Sequence, residues 1–202
     1  MEPKVLLVYP PNQLMPIETP RPDGSLGPLY LAGALREVGV EPDLVDMTVG
    51  TKEDSLEDTF YRSEMQENGL VRIGMSWERI TSLLVKGNYD IVAINSNFTP
   101  QTKMALRVAE IAKRINPKTL VVAGGVNARA LTGRFFKSVD LICTTEGEKT
   151  IQEVVRRFPK YENIPGTATK YSRSIHTGII QNLDKLPLPA WDILPFEKYE
   201  QI

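Results

Sequence analysis

The sequence predicts an α/β fold, a doubly wound parallel sheet of five strands flanked by helices. Two observations carry that prediction. Short apolar, β-branched runs alternate five times with segments of helical periodicity, and each run stops at small or polar residues. In the clearest, TLVVAGGVN at Thr119–Asn127, a buried-strand pattern ends in Gly124-Gly125, a pair that permits a sharp backbone turn. Parallel strands place all such ends on one edge. In open α/β sheets that edge binds ligands where the strand order reverses.

Each element follows in order. Strand one, Lys4–Tyr9, ends at Pro10-Pro11. Pro16, Pro20, Pro22 and Pro28 forbid helix or ladder hydrogen bonds as far as Gly27, so this stretch reads as a long loop at the ligand edge. The first helix has Pro28 in its first turn, turns Leu31, Leu35 and Val38 to the core, and stops at Gly39. Gly33 in mid-helix is about 1 kcal/mol less favourable than alanine, which implies close packing under a strand or a bulky ligand. Pro42–Met47 forms a short second strand. Thr48–Asn68 is acidic and aperiodic, a solvated crossover with a weak helix over Leu56–Met65 or an inserted lid. Ser76 N-caps a helix that buries Ile80, Leu83 and Leu84 and closes at Gly87.

Strand three starts at Asp90 and ends in Asn95-Ser96-Asn97. Thr99 then caps a helix with Pro100 in its first position and a core stripe of Met104, Val108, Ile111 and Ile115. Strand four and its glycines lead to a short helix from Ala128 towards Phe136. Strand five, Val139–Thr144, enters Glu146-Gly147-Glu148, and a helix follows with Ile151, Val154, Val155 and Phe158 inward until Pro159. Right-handed crossovers give this pattern the flavodoxin-like order 2-1-3-4-5 over residues 1–160. Beyond it, in 161–202, GTATKYS and the run at Ile179-Ile180 alternate like a small hairpin. Leu183–Phe196, LDKLPLPAWDILPF, is a stiff proline-rich strap, too apolar to float freely.

With 42% hydrophobic and 24% charged residues among 202, the chain can bury a substantial core. A net charge of -1 and no Lys/Arg run longer than a doublet leave no footprint for nucleic acid. No apolar stretch approaches the ~20 residues that span a bilayer, so the expectation is a cytoplasmic protein without a membrane partner. The single cysteine, Cys143, falls inside a predicted strand as a core residue. It excludes an internal disulfide and any multi-cysteine metal or iron–sulfur site within this sequence.

Chemistry-bearing motifs are few. Walker A, HExxH and GxSxG are absent, and the double glycine follows the fourth strand, whereas a dinucleotide fingerprint follows the first. A phosphorelay receiver needs acids at the ends of strands one and three, where this chain has Tyr9-Pro10 and Asn95-Ser96. Glu146 and Glu148 complement a helix dipole more simply than they form an acid–base pair. His176, the only histidine, sits in the expected hairpin as a surface residue. The remaining edge of Gly, Asn, Ser, Thr and Pro suits a large ligand held through backbone contacts.

Together, VYPP after strand one, LGPLYLAGALREVG, DIVAINS, LVVAGGVNA, TTEGEKT and DKLPLPAWDILP resemble, in order and spacing over residues 3 to 200, the amino-terminal cobalamin-binding domain of radical SAM enzymes. The resemblance implies a corrin lying across the strand ends and a nucleotide tail dropping between sheet and helix beside Gly125. A radical SAM barrel with its four-iron four-sulfur cluster and S-adenosylmethionine would follow the proline-rich tail, so this fragment would itself carry no catalytic and no metal-ligating residue. The implied cofactor contacts are Pro10, Pro11, Asn12, Leu26, Asn95, Ser96, Asn97, Thr99, Gly124, Gly125, Val126, Asn127, Glu146, Gly147 and Glu148. Two features depart from wider relatives. Val126-Asn127 stands where many have a histidine, and no DxHxxG motif supplies a ligand to cobalt, which implies base-off, histidine-free binding. Two alternatives stay open: a scaffold of the same fold that binds no corrin and docks on the barrel, and an independent enzyme working through Glu146 and Glu148.

Overall fold

The computed structural model describes residues 2–22, 26–172 and 180–202. Strand β1 (Val5–Tyr9) is buried throughout and lies between β3 (Asp43–Asp46) and β6 (Ile91–Asn95), parallel to both. Parallel β7 (Leu120–Gly124) and β8 (Leu141–Cys143) extend the sheet on the far side of β6. A run of apolar residues buried on both faces is what a central parallel strand requires. The sheet has six strands rather than five, because β9 (Thr167–Ala168) adds antiparallel to β8. The expected hairpin is therefore replaced, in its first arm, by a sheet edge; most of its second arm, including His176, lies outside the described residues.

Helices α1 (Leu26–Arg36) and α6 (Gly147–Arg157) pack together on one face. Helices α2 (Trp77–Gly87) and α3 (Thr102–Ile115) cover the other, with the short α4 (Val126–Ala130) and α5 (Thr132–Phe135) at its end. Ser76 caps α2 by accepting a hydrogen bond from the Arg79 amide at 3.1 Å, and Asn88 closes it in the left-handed conformation. Thr99 does not cap α3. It opens a 3-10 turn, Thr99–Gln101, and the buried Gln101 side chain accepts from the amides of Asn97 and Phe98 instead. On α1 the buried stripe is Leu29, Ala32, Gly33 and Leu35, while Leu31 faces a cavity and Val38 lies beyond the helix end.

The proline-rich stretch after β1 and the acidic insert hold the main surprise. Asn12–Leu14 (β2), Ser63–Met65 (β4) and Val71–Ile73 (β5) form a second, antiparallel sheet in the order β2-β5-β4. No helix spans Leu56–Met65. Arg72, in the middle strand, is fully buried between the register positions of Gln13 and Glu64; it pairs with Glu64 at 3.2 Å and stacks 4.3 Å from the Trp77 ring. Burial alone would lower the basicity of this guanidinium, and the Glu64 carboxylate opposes that.

The proline-rich strap is packed, not free. Ala190 and Leu194 enter the core of the α1–α6 face, the Ala190 amide donates to the Leu29 carbonyl, and Asp192 binds Arg36 through two oxygens at 2.7 Å. Gly33 answers to this strap, since an added Cβ would overlap the Leu188 carbonyl oxygen. The final helix, α7 (Phe196–Tyr199), then locks onto the insert. Tyr199 donates to buried Asp46 at 2.6 Å, and Tyr199 and Ile202 pack on Val49, Leu56 and Phe60. No helix among the described residues is long and apolar enough to cross a membrane.

Candidate functional site

The strand register builds a cavity at the carboxyl edge. Leu7, Ala93, Val122 and Leu141 are successive neighbours in one row across the sheet, facing α1 and α6. Two residues further along the strands the same face carries Asn95 and Gly124 in register, with Cys143 beside them. A row of small side chains leaves the helices nothing to pack against. The result is a cavity of about 310 Å³ whose walls include Leu7, Ala93 and Val122 from the sheet, Leu31 from α1, and Ile151 and Val154 from α6. A Cβ placed on Gly124 would meet only the Cys143 Cβ, at an ordinary 3.7 Å, so nothing but the cavity occupies that direction.

The polar lining residues are Asn95, Asn97, Arg129, Thr145, Glu146, Glu148 and Thr150, of which Asn97, Arg129 and Glu146 are exposed at the mouth and Thr150 is buried. The Asn95 Oδ1 is buried yet finds no donor among the described residues. A buried amide oxygen in this state is costly unless something supplies a hydrogen bond, and it sits on the cavity wall. Cys143 donates weakly to the Thr145 carbonyl at 3.4 Å, and burial pushes its thiol up, which keeps it protonated and inert. Leu26 and Val126, the first residues of α1 and α4, and Phe98, in the loop after β6, stand exposed. Of the three, Val126 lines the cavity, and Leu26 and Phe98 are next in sequence to the lining residues Gly27 and Asn97. Among the described residues no cluster of three His, Cys, Asp or Glu side chains could hold a metal ion.

Of the residues singled out from sequence, Asn95, Asn97, Gly124, Gly125, Val126, Glu146, Gly147 and Glu148 converge on this cavity. The others have different positions. Pro10 and Pro11 are buried, Pro11 beneath Gly74, and Asn12 pairs with Ile73 in the second sheet, which covers the ends of β1 and β3. Ser96 is fully buried and Asn127 nearly so. The Asn127 amide donates to the hydroxyls of Ser96 at 2.8 Å and Thr102 at 2.9 Å, stitching the β6 and β7 loops together. Thr99 lies in the 3-10 turn. Gly125 has φ 99°, and a Cβ there would overlap the Ser96 carbonyl oxygen. Its lack of a side chain serves loop packing, and Gly124 is the glycine that keeps space open for a ligand. Leu31, Ile151, Val154, Thr150 and Arg129 are lining residues that the sequence does not single out as ligand contacts, whereas Thr145 lies in the loop after strand five, 144–148, which is expected to face the ligand. The first three carried a core-helix periodicity indistinguishable from a cavity wall.

A mainly parallel α/β sandwich with an apolar cavity opening on its carboxyl edge defines a flavodoxin-like, cofactor-holding domain. Residues 24–155 match the B12 binding domain family model, more than half of the chain, and the chain belongs to that family as a cobalamin-binding domain. An uncharacterized methyltransferase of Pyrococcus horikoshii is 31% identical over 98% of this chain and 40% of its own length. The cytidylyl-2-hydroxyethylphosphonate methyltransferase of Streptomyces wedmorensis is 25% identical over 98% of this chain and 42% of its own length. The chain thus spans about two fifths of the curated relatives it matches.

Proposed function

We propose that this chain is the cofactor-holding module of a cobalamin-dependent radical SAM enzyme of methyltransferase or rearrangement type, and that it binds cobalamin base-off and histidine-off. The observation that carries the reading is the apolar cavity below Gly124 with its unpartnered Asn95 Oδ1. It fits the group: the aromatic base matches the apolar walls, and the polar residues of the lining can meet the hydroxyls of its sugar. Exposed Val126 on the cavity, with exposed Leu26 and Phe98 next in sequence to lining residues, would offer apolar surface to a corrin. Asn95, Asn97, Gly124, Val126, Glu146, Gly147 and Glu148 are the residues that would hold the cofactor, with Gly125 and Asn127 fixing the loop that carries them.

When bound, cobalamin supplies cobalt–carbon bond chemistry that no side chain offers. The protein's part is to desolvate the tail base in a dry slot and to hold the ring at the open edge. The loop directly after β1 carries no histidine, so this chain would offer no imidazole there to cobalt, in keeping with the histidine-off reading. The four-iron four-sulfur cluster and S-adenosylmethionine would be supplied by a radical SAM barrel outside this sequence, whose one cysteine cannot ligate a cluster. The methyltransferase names of both relatives and the share of their length that this chain covers support that partnership.

Mixing the purified chain with excess hydroxocobalamin, desalting and recording the absorbance spectrum tests the reading. Co-eluting cofactor with a base-off spectrum, unchanged by His176→Ala, is expected. Cofactor that never co-elutes overturns it in favour of a scaffold that binds no corrin, and a spectrum that depends on His176 overturns the histidine-off assignment.

A further inference from the structure

We infer that Arg129 recognises the phosphodiester of the cobalamin tail at the cavity mouth, an inference that rests on the cobalamin-module reading above. Among the residues lining the cavity Arg129 is the single cation. It is exposed, on α4, three residues after Val126; at that spacing the two share one helix face, and both line the mouth. Arg36, Arg62, Arg72 and Arg79 each hold a carboxylate. Arg129 has no ion pair among the described residues, although Glu146 and Glu148 line the same cavity. Those two acids have other roles: Glu146 accepts a hydrogen bond from the Ile180 amide, and Glu148 lies in the first turn of α6, where a negative charge complements the helix dipole.

The chemistry of the ligand selects what an unpaired guanidinium there would meet. A cavity of about 310 Å³ has room for a bicyclic base and its sugar but not for a corrin, so the chain joining them must cross the mouth. That chain carries one permanently charged group, a phosphodiester. Bringing it past two carboxylates is unfavourable unless a cation stands beside it, and the planar guanidinium offers paired donors that match two phosphate oxygens. Arg129 thereby discriminates complete cobalamin from corrinoids that lack the nucleotide.

The test titrates wild type, Arg129→Ala and Arg129→Lys with hydroxocobalamin and with cobinamide, which lacks phosphate, ribose and base, reading affinity by absorbance at two salt concentrations. Arg129→Ala should bind cobalamin about tenfold more weakly, the size expected for losing one charged hydrogen-bond donor. Arg129→Lys should recover part of that loss, the salt dependence of cobalamin binding should shrink in the alanine variant, and any cobinamide binding should be the same in all three. Equal cobalamin affinity in wild type and Arg129→Ala, or equal loss with alanine and lysine, overturns the inference while leaving the cobalamin module standing. A wild-type chain that binds no cobalamin overturns the module reading and this inference with it.

Discussion

The two faces of the central sheet are built from the same strands and end differently. On the α2–α3 side the row Val8, Ile94, Ala123 and Ile142 is packed under helices, and above it Asn127 ties Ser96 to Thr102. On the α1–α6 side, the next row along the strands, Asn95, Gly124 and Cys143, leaves a cavity. Period-two alternation sends neighbouring residues to opposite faces, so a single sequence position separates a closed core from a binding slot. Function on this fold comes from removing side-chain volume on one face while the other is filled.

Adjacent residues of β7 offer the sharpest way to break that comparison. Gly124→Leu would place its side chain in the cavity without meeting backbone, and we expect cobalamin affinity to fall more than about a hundredfold with a thermal midpoint near wild type. Full binding by this variant would show that the tail does not enter the slot. Next in size is Gly125→Ala. Positive φ and overlap with the Ser96 carbonyl should destabilise the fold by about 2–3 kcal/mol in denaturant titration, and little or no destabilisation would refute the loop-packing role. Ala123→Leu, on the filled face, should destabilise by about 1–3 kcal/mol through overpacking, while the folded fraction keeps its affinity. Asn127→Ala should lie in a similar range or just below, because it leaves the buried hydroxyls of Ser96 and Thr102 short of a donor.

These expectations divide along the line between what the sequence made legible and what it did not. Strands β1, β6 and β7 are readable because they are buried on both faces, so nearly every residue is apolar. The capped helix α2 is readable because Ser76 and the Ile80, Leu83, Leu84 stripe fix its start and its buried side. The second sheet is not, because its strands NQL, SEM and VRI are only three residues long, too short to show an alternation, and the first two are mainly polar. Arg72 reads as a surface residue until Glu64 and Trp77 are seen to enclose it. In the site, loop residues announced themselves through glycine, asparagine and glutamate. The cavity walls, Leu31, Ile151 and Val154, did not, since a helical apolar stripe looks the same whether it meets a strand or a void. Gly33 showed that something approached closely but not what, because Leu188 lies far along the chain.

The strap gives the smallest expected effect and a further contrast between the faces, for it packs on the α1–α6 side alone among the described residues. Its polar anchor is Asp192 on Arg36, and that hydrogen bond holds the Asp192 carboxyl below its ordinary value of 3.8. A carboxyl lowered in the folded state contributes stability that is present above 3.8 and is lost as pH falls through the lower folded value. Both partners are substantially exposed and Arg36 keeps Glu41 as a second acid, so global stability should scarcely change. The readout is local. The sequence has two tryptophans, and with Trp77→Phe the fluorescence reports only Trp191, the strap residue next to Asp192. A transition below pH 3.8 that disappears in Asp192→Asn is the expected result; a transition that survives the substitution would mean that Ala190 and Leu194, not the ion pair, hold the strap to α1.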